Sequence, residues 1–419
     1  MRVGETANDD AAPYGKPLDG VRVLAIEQMQ ALPFATQLLA RLGADVVKVE
    51  HPVHGESGRG AEPAMLDPAG RKVGATFLRN NLNKRSVGLD LTQESGRALL
   101  LRLAPRFDVV AENSKPGTME KLGLGYAVVA EAHPTVVYVS VSGFGNLVPS
   151  PYASWPAYAS VVEAMSGIYE YRRPPGGPPV TLPVGALGDI SSALFATVGI
   201  LAALRHRDRT GEGQYVDVAM LDAVMAMTDI VTNFWSLGLR PEPDGALKEP
   251  DVIVHGFRAS DGWFVLQVAR EHQFTRLASV VGRPEWADDP RFANRAGWIE
   301  HLDTVIRPGI EAWAADHTKR EAAQVLSEAG VPAGPCSTAA DLVGDPHVAA
   351  RHMLVELPRT DDVADPVLIP GNPVKLSKTM EGPETRVPWV GEHTEEVLTG
   401  ELGLSPAELA DLRAAGVVT

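Results

Sequence analysis

The residues best able to do chemistry in this sequence are Leu187-Gly188-Asp189-Ile190-Ser191-Ser192, where one carboxylate stands at a turn directly before a long apolar run. The run, Ala193 to Leu204, has helical composition, and an acidic residue with small polar neighbours ahead of it marks a helix N-terminus. Two roles fit such an aspartate. It can cap the helix through its side chain. It can also be a nucleophile, held where backbone N–H groups and the helix dipole favour negative charge. Position alone leaves both open. Other candidates carry less. Glu50-His51-Pro52-Val53-His54-Gly55-Glu56 contains metal-ligand types, but no further cluster completes a site, so no metal is expected. Cys336 sits in a Pro/Gly-rich connection and reads as inert, and His393, ahead of Thr394 and Glu395, reads as part of a helix-start capping string.

An α/β layer is needed to position these residues. Val21 to Ile26 reads as a strand, Pro33 to Leu42 as a helix ended by Gly43, and Ala44 to Glu50 as a second strand, which makes a βαβ unit and a parallel sheet. Ser86 to Leu91, Phe107 to Glu112 and Val136 to Val141 continue the strands, with helical Gln93 to Leu103 and Thr118 to Leu122 between them. This is a doubly wound, Rossmann-like layer. The link after the first strand, Glu27-Gln28-Met29-Gln30-Ala31-Leu32-Pro33, has no G-x-G-x-x-G, which argues against a nicotinamide dehydrogenase. Arg172 to Pro179 is Pro/Gly-rich and reads as a surface loop. Tyr215 to Met220 reads as a strand, Leu221 to Leu237 as one long helix, and Arg240-Pro241-Glu242-Pro243-Asp244-Gly245 as a linker. A second unit opens with a hairpin, Gly256 to Ala259 and Trp263 to Gln267, followed by helices at Phe274 to Val281, Glu300 to Ala315 and Lys319 to Ala329. The last segment carries short strands and a helix at Pro406 to Ala415.

Composition narrows the function class. The chain has 419 residues and a formal net charge of −15, which argues against a nucleic-acid partner held by phosphate contacts. No run of eighteen apolar residues appears, so no membrane span is expected. Met1 to Gly15 is polar and acidic and is expected to be a loose tail rather than a signal peptide. The single cysteine excludes an internal disulfide and fits a reducing cytoplasm.

Eight strings in order carry a resemblance. They begin at Leu18-Asp19-Gly20, Leu42-Gly43-Ala44-Asp45, Asn83-Lys84-Arg85, Ser142-Gly143-Phe144-Gly145, Gly188-Asp189, Thr210-Gly211-Glu212-Gly213, Gly330-Val331-Pro332-Ala333 and Gly391-Glu392-His393-Thr394. From about residue 17 to the end, the chain resembles the class III CoA-transferases, the CaiB/BaiF family, which includes formyl-CoA transferase, carnitine CoA-transferase and α-methylacyl-CoA racemase. The resemblance implies a large α/β domain built from both chain ends, 17–225 and 336–419, a linker at 226–250 and a smaller α+β domain at 251–335. It implies two interlocked copies forming a homodimer, acyl-CoA and carboxylic acids as substrates, and no tightly bound cofactor. Asp189 matches the aspartate that attacks the thioester. Gln30 and Ala31 match residues near the reacting acyl group, and in the bland reading Gln30 is a loop amide bonded to backbone. His51, Asn81, Asn83, Lys84, Asn113, Ser114 and Lys121 match positions of the CoA cradle, and each of the two lysines either meets a phosphate as a point charge or is a plain solvated surface residue. Tyr158 takes the place of the racemase histidine and Ala159 that of its aspartate, which disfavours a racemase. Tyr158 then lines the acyl pocket or is a core aromatic. No glycine-rich loop follows Trp263, and Glu271 reads as a surface salt bridge. A catalytically silent CoA-binding protein is the third reading, against which the retained Asp189 argues.

Overall fold

The structure is a computed structural model that describes residues 1–171, 173–174, 176–181, 186–238 and 251–419. The linker expected at Arg240 to Gly245, and Arg172 and Pro175 of the Pro/Gly-rich stretch, lie outside the described residues. The chain forms two compact units, one of Met1–Arg240 with His347–Thr419 and one of Pro241–Pro346.

The first unit starts with β1 (Arg22–Ile26), a helix (Ala31–Arg41) and β2 (Asp45–Glu50). A small antiparallel hairpin, β3 (Ala64–Leu66) and β4 (Lys72–Gly74), precedes β5 (Lys84–Gly88). Strands β6 (Val109–Glu112), β7 (Val137–Ser142) and β8 (Gln214–Ala219) follow. β1, β2 and β5 to β8 make one six-stranded sheet in the order β5-β2-β1-β6-β7-β8, every pair parallel. Both faces are covered, so Val23, Leu24 and Ala25 of β1 form an uninterrupted apolar run with no exposure. One face packs Leu32, Ala35 and Leu39 of the first helix with Ala193, Ala196 and Ile200 of the long helix Leu187–Thr210. The other packs Leu99 and Leu103 with Val397, Leu398, Leu409 and Val417, so the end of the chain completes a core begun near its start. Strand order runs outward from β1 in both directions, and the helix after β1 packs on one face of the sheet while Met119, Leu124 and Val129 after β6 pack on the other. A crevice opens at such a switch point in sheets of this order.

Leu187–Thr210 is long and apolar enough to cross a membrane by length and composition. Its buried residues pack against the sheet and the first helix, while Leu194, Phe195, Val198 and Leu201 are exposed.

The second unit is built on β9 (Ile253–Ala259), β10 (Gly262–Val268) and β11 (Ala333–Pro335), antiparallel in the order β11-β10-β9. Trp298 stacks on Phe274 at 4.6 Å in the middle of its core. The unit continues past 335 to Pro346, because Lys319 bonds the Cys336 carbonyl at 3.2 Å and the Asp341 carboxylate at 2.5 Å. In the first unit, β12 (Leu354–Leu357) and β13 (Val367–Pro370) form a last hairpin.

Three local expectations change. The N-terminal stretch is tied down rather than loose: Val3 and Gly4 donate backbone bonds to Glu356 and Glu384, and the Asn8 side chain bonds Thr379 and Glu381. Residues 221–237 form two pieces, Met220–Ala226 and Ile230–Trp235, rather than one helix. His393 makes no side-chain cap; its Nδ1 accepts the Ser86 N–H at 3.2 Å and ties the returning segment to β5.

Candidate functional site

A cleft of about 480 Å³ opens at the carboxyl ends of β1, β6, β7 and β8. Its walls come from Gln28 to Ala31 after β1, Asn113 to Pro116 after β6, Ser142 to Phe144 at the end of β7, and Tyr158 and Asp189. Of the described lining residues, Asp189 is the one acid and Lys115 the one cation.

Asp189 is the third residue of its helix, not the cap. The capping position belongs to Ala186, in the left-handed region at φ 65°, and no side chain caps the helix end from that position. Among the described residues no donor bonds the Asp189 carboxylate. Burial, and next the nearby Glu163 carboxylate, push its pKa up to about 6. The free N–H groups of a helix start act in the opposite direction and favour an anion.

Gln30 caps the first helix with its backbone only: its carbonyl accepts the Phe34 N–H at 2.9 Å. Its Nε2 is buried and has no partner, so the bland reading of a backbone-bonded loop amide fails. A buried amide N–H₂ left unbonded beside the cleft is an unmet donor. The loop that carries it is held under strain. Met29 has φ 62°, a conformation costly for a residue with a side chain, and its N–H is gripped by Glu56 at 2.9 Å. Asn113 exchanges two bonds with the Gln28 backbone, at 2.9 and 3.0 Å, so the loops after β1 and β6 are locked together across the switch point.

The other expected contacts divide into those the cleft gathers and those it does not. Ala31 and Ser114 line it, and the Ser114 N–H is fixed by Glu112 at 2.7 Å. Asn113 lines it with its amide already committed to Gln28. Tyr158 is 73% exposed on the cleft wall, so it is not a core aromatic. Lys84 does not reach a ligand. It is fully buried and its ammonium bonds Glu27 at 2.6 Å, the Pro33 carbonyl at 2.9 Å and Asn81 at 3.0 Å. Asn81 is consumed by Lys84 and by the Phe77 carbonyl. Asn83, in the left-handed region at φ 63°, bonds Glu384 and the Thr385 N–H and so anchors the returning segment. The His51 Nδ1 accepts the N–H groups of Val53 and His54 and organises its own turn. Lys121, the last residue of a four-residue helix, is exposed and is not among the cleft residues. Lys115 was missed. It sits three residues past the end of β6, a position that in a sheet of this order faces the crevice.

In the second unit, Glu271 pairs with Arg295 at 2.9 Å on an exposed surface.

The cleft at the switch point, with an unbonded aspartate and no dinucleotide glycines, agrees with the sequence comparison. Residues 18–394 match the family described as CoA-transferase family III. The chain belongs to that family. It is 34% identical over 405 residues to the succinyl-CoA–L-malate CoA-transferase beta subunit of Chloroflexus aurantiacus, covering 96% of this chain and 98% of that one. It is 34% identical over 421 residues to the formyl-CoA:oxalate CoA-transferase of Streptomyces coelicolor, covering 96% and 99%. Among solved structures, a CaiB/BaiF family protein from Brucella suis superposes with a TM-score of 0.80 at 31% identity, covering 92% of this chain and all of that one. As a class III CoA-transferase, the enzyme uses CoA thioesters and carboxylic acids as its substrates.

Proposed function

We propose that the enzyme transfers coenzyme A through covalent adducts on Asp189, between short dicarboxylic acids or their close relatives. One observation carries the nucleophile: Asp189 is the sole acid among the described residues of the cleft, and its carboxylate has no donor of its own. An Asp189 oxygen attacks the thioester carbon, the C–O bond forms, the C–S bond breaks, and CoA leaves with the electron pair as thiolate. The thiolate then attacks the Asp189 carbonyl of the mixed anhydride. This releases the donor acid, carrying away one aspartate oxygen, and leaves an aspartyl-CoA thioester. The acceptor carboxylate attacks that thioester, and the returning thiolate takes the acceptor acyl group from the second anhydride. No proton, water or metal enters the balance, which is why a carboxylate suits the task.

Each attack places negative charge on a carbonyl oxygen. The Gln30 amide and the backbone N–H groups at the start of the Asp189 helix other than that of Gly188, which Glu163 holds, serve as its donors. We expect Gln30→Ala to lower kcat about 10- to 100-fold while KM for the acyl-CoA changes less than about threefold, as read by steady-state kinetics. Lys115 meets a CoA phosphate at the cleft edge. Lys115→Ala should raise KM for the acyl-CoA about tenfold with kcat kept, and the difference should shrink as salt is raised.

The substrate class rests on the relatives, whose names include succinyl-CoA with malate, citramalate and mesaconate, and oxalate. We also propose a homodimer in the cytoplasm, in which the exposed apolar stripe Leu194, Phe195, Val198 and Leu201 meets a second copy. Light scattering at micromolar concentration should give twice the 44.7 kDa chain mass. The mechanism is tested with an acceptor acid labelled with heavy oxygen at its carboxylate. Over repeated turnovers, label should pass through Asp189 into the released donor acid. A donor acid that stays unlabelled while CoA is transferred rules the mechanism out.

A further inference from the structure

We infer that Glu163 is a positioning residue for the reaction: it holds the start of the Asp189 helix through the Gly188 N–H, and it sets the carboxylate of Asp189 against a second fixed negative charge. The inference rests on the nucleophile reading above. It begins from a defect in the helix. Leu187–Thr210 starts without any side-chain cap of its own, and Ala186 is held in the left-handed region. Helix starts leave four N–H groups without partners. One of these, on Gly188, donates to Glu163 Oε1 at 3.0 Å. The acceptor thus comes from a different helix, Ala159–Met165.

The approach is close and specific to glycine. A Cβ on residue 188 would stand 2.7 Å from Val162 Cγ2 and 3.1 Å from the Ala159 Cα. Only a residue without a side chain lets the Glu163 helix come near enough to cap its neighbour. The second Glu163 oxygen accepts the Tyr169 hydroxyl, and the residue is 3% exposed. Both oxygens are therefore occupied, and the carboxylate is fixed rather than swinging. Tyr169 is pushed up to about 12 by burial and by this bond, so it remains a donor.

The consequence reaches the chemistry through charge. Around Asp189, the neighbouring helix brings Glu163 and Tyr158, the loop after β6 brings Lys115, the loop after β1 brings the neutral Gln30, and Tyr169 stands behind Glu163. Glu163 is the other carboxyl in that set. Free Asp189 is an anion and feels this repulsion. Its anhydride and thioester adducts are neutral and do not. The pair therefore raises the free carboxylate relative to every covalent state, making the attacking oxygen more basic and more reactive.

Two variants separate charge from position. Glu163→Gln keeps an acceptor for the Gly188 N–H and removes the charge. Glu163→Asp keeps the charge and withdraws the acceptor by one methylene. Asp189 is titrated directly by carbon NMR of protein labelled at aspartate side-chain carboxyls, with Asp189→Asn assigning the signal. Acylation is followed by rapid quench across pH. For Glu163→Gln we expect the Asp189 midpoint to fall by about one unit and the plateau acylation rate by about threefold, as a Brønsted slope near one half implies. For Glu163→Asp we expect the midpoint to stay near the wild-type value while the plateau falls about tenfold, because the helix start is displaced. A merely structural Glu163 would lower the melting temperature in both variants and leave the midpoint unchanged in both, and that result overturns the inference. Failure of the nucleophile reading is distinguishable: no acyl adduct forms on Asp189 in the wild type, while the NMR midpoint still reports on Glu163.

Discussion

Asp189→Asn should abolish CoA transfer, with a loss of at least about a thousandfold in kcat, and should at the same time make the protein more stable at neutral pH. The loss follows because an amide cannot attack a thioester and form an anhydride. The gain follows from linkage. Burial and Glu163 raise the folded-state pKa of Asp189 to about 6, above the unfolded value of 3.8. Between those values the folded protein binds the proton more tightly. The protonated form is the one that folding favours, so stability falls as pH rises from below about 4 to above about 6. At pH 7 the ionised aspartate costs on the order of 2 kcal/mol once its partial exposure is discounted, and asparagine removes that cost. Chemical denaturation at pH 7 should show Asp189→Asn as the more stable protein. At pH 3.5 the two should coincide. Activity of the wild type should fall tenfold per unit below the same midpoint, because only the carboxylate attacks.

Lys84→Ala should destabilise the enzyme by about 3–5 kcal/mol, the cost of leaving a buried carboxylate without its main partner. Glu27 has no side-chain exposure, and its partners are Lys84 at 2.6 Å, Lys48 at 3.5 Å and the Thr36 hydroxyl at 2.7 Å. Burial pushes Glu27 up, but the two lysines and these bonds outweigh it and hold the carboxyl below its ordinary range. Lys84 itself is drawn down to about 8 by burial. Glu27 is followed directly by Gln28-Met29-Gln30, so the same substitution loosens the loop that presents the Gln30 amide. A surface lysine serving CoA phosphate would behave otherwise, changing KM and leaving stability within about 0.5 kcal/mol. Urea denaturation of Lys84→Ala distinguishes the two.

The contrast shows where sequence reasoning worked. The sheet was legible because buried parallel strands are short β-branched runs, and Val21 to Ile26 and Val136 to Val141 have that form. The resemblance was legible because its strings lie at turns and strand ends, where residue type is constrained. Asp189 was found as a helix-start acid, but only the structure shows that it is not the cap: Ala186 occupies that position and the Asp189 carboxylate is left unbonded among the described residues. Side-chain destination was not legible. Lys84, Asn81 and Asn83 stand at a strand start in the sequence, and only packing shows that Glu27, Phe77 and Glu384 claim them. Lys115 was passed over for Lys121, because a position matched by resemblance does not say which lysine of the segment after β6 lines the crevice. Glu163 was invisible for the same reason. Its partner, Gly188, lies 25 residues away, and no local pattern joins them.

The most direct measurement is mass spectrometry of the Asp189 peptide after brief incubation with an acyl-CoA and quenching in acid. The mechanism predicts on that peptide the added mass of CoA less one water, for the thioester, or of the acyl group in place of the carboxyl proton, for the anhydride. The added mass should be removed by hydroxylamine to leave an aspartyl hydroxamate, and it should be absent from Asp189→Asn. Turnover with no adduct on Asp189, or full transfer by Asp189→Asn, contradicts it.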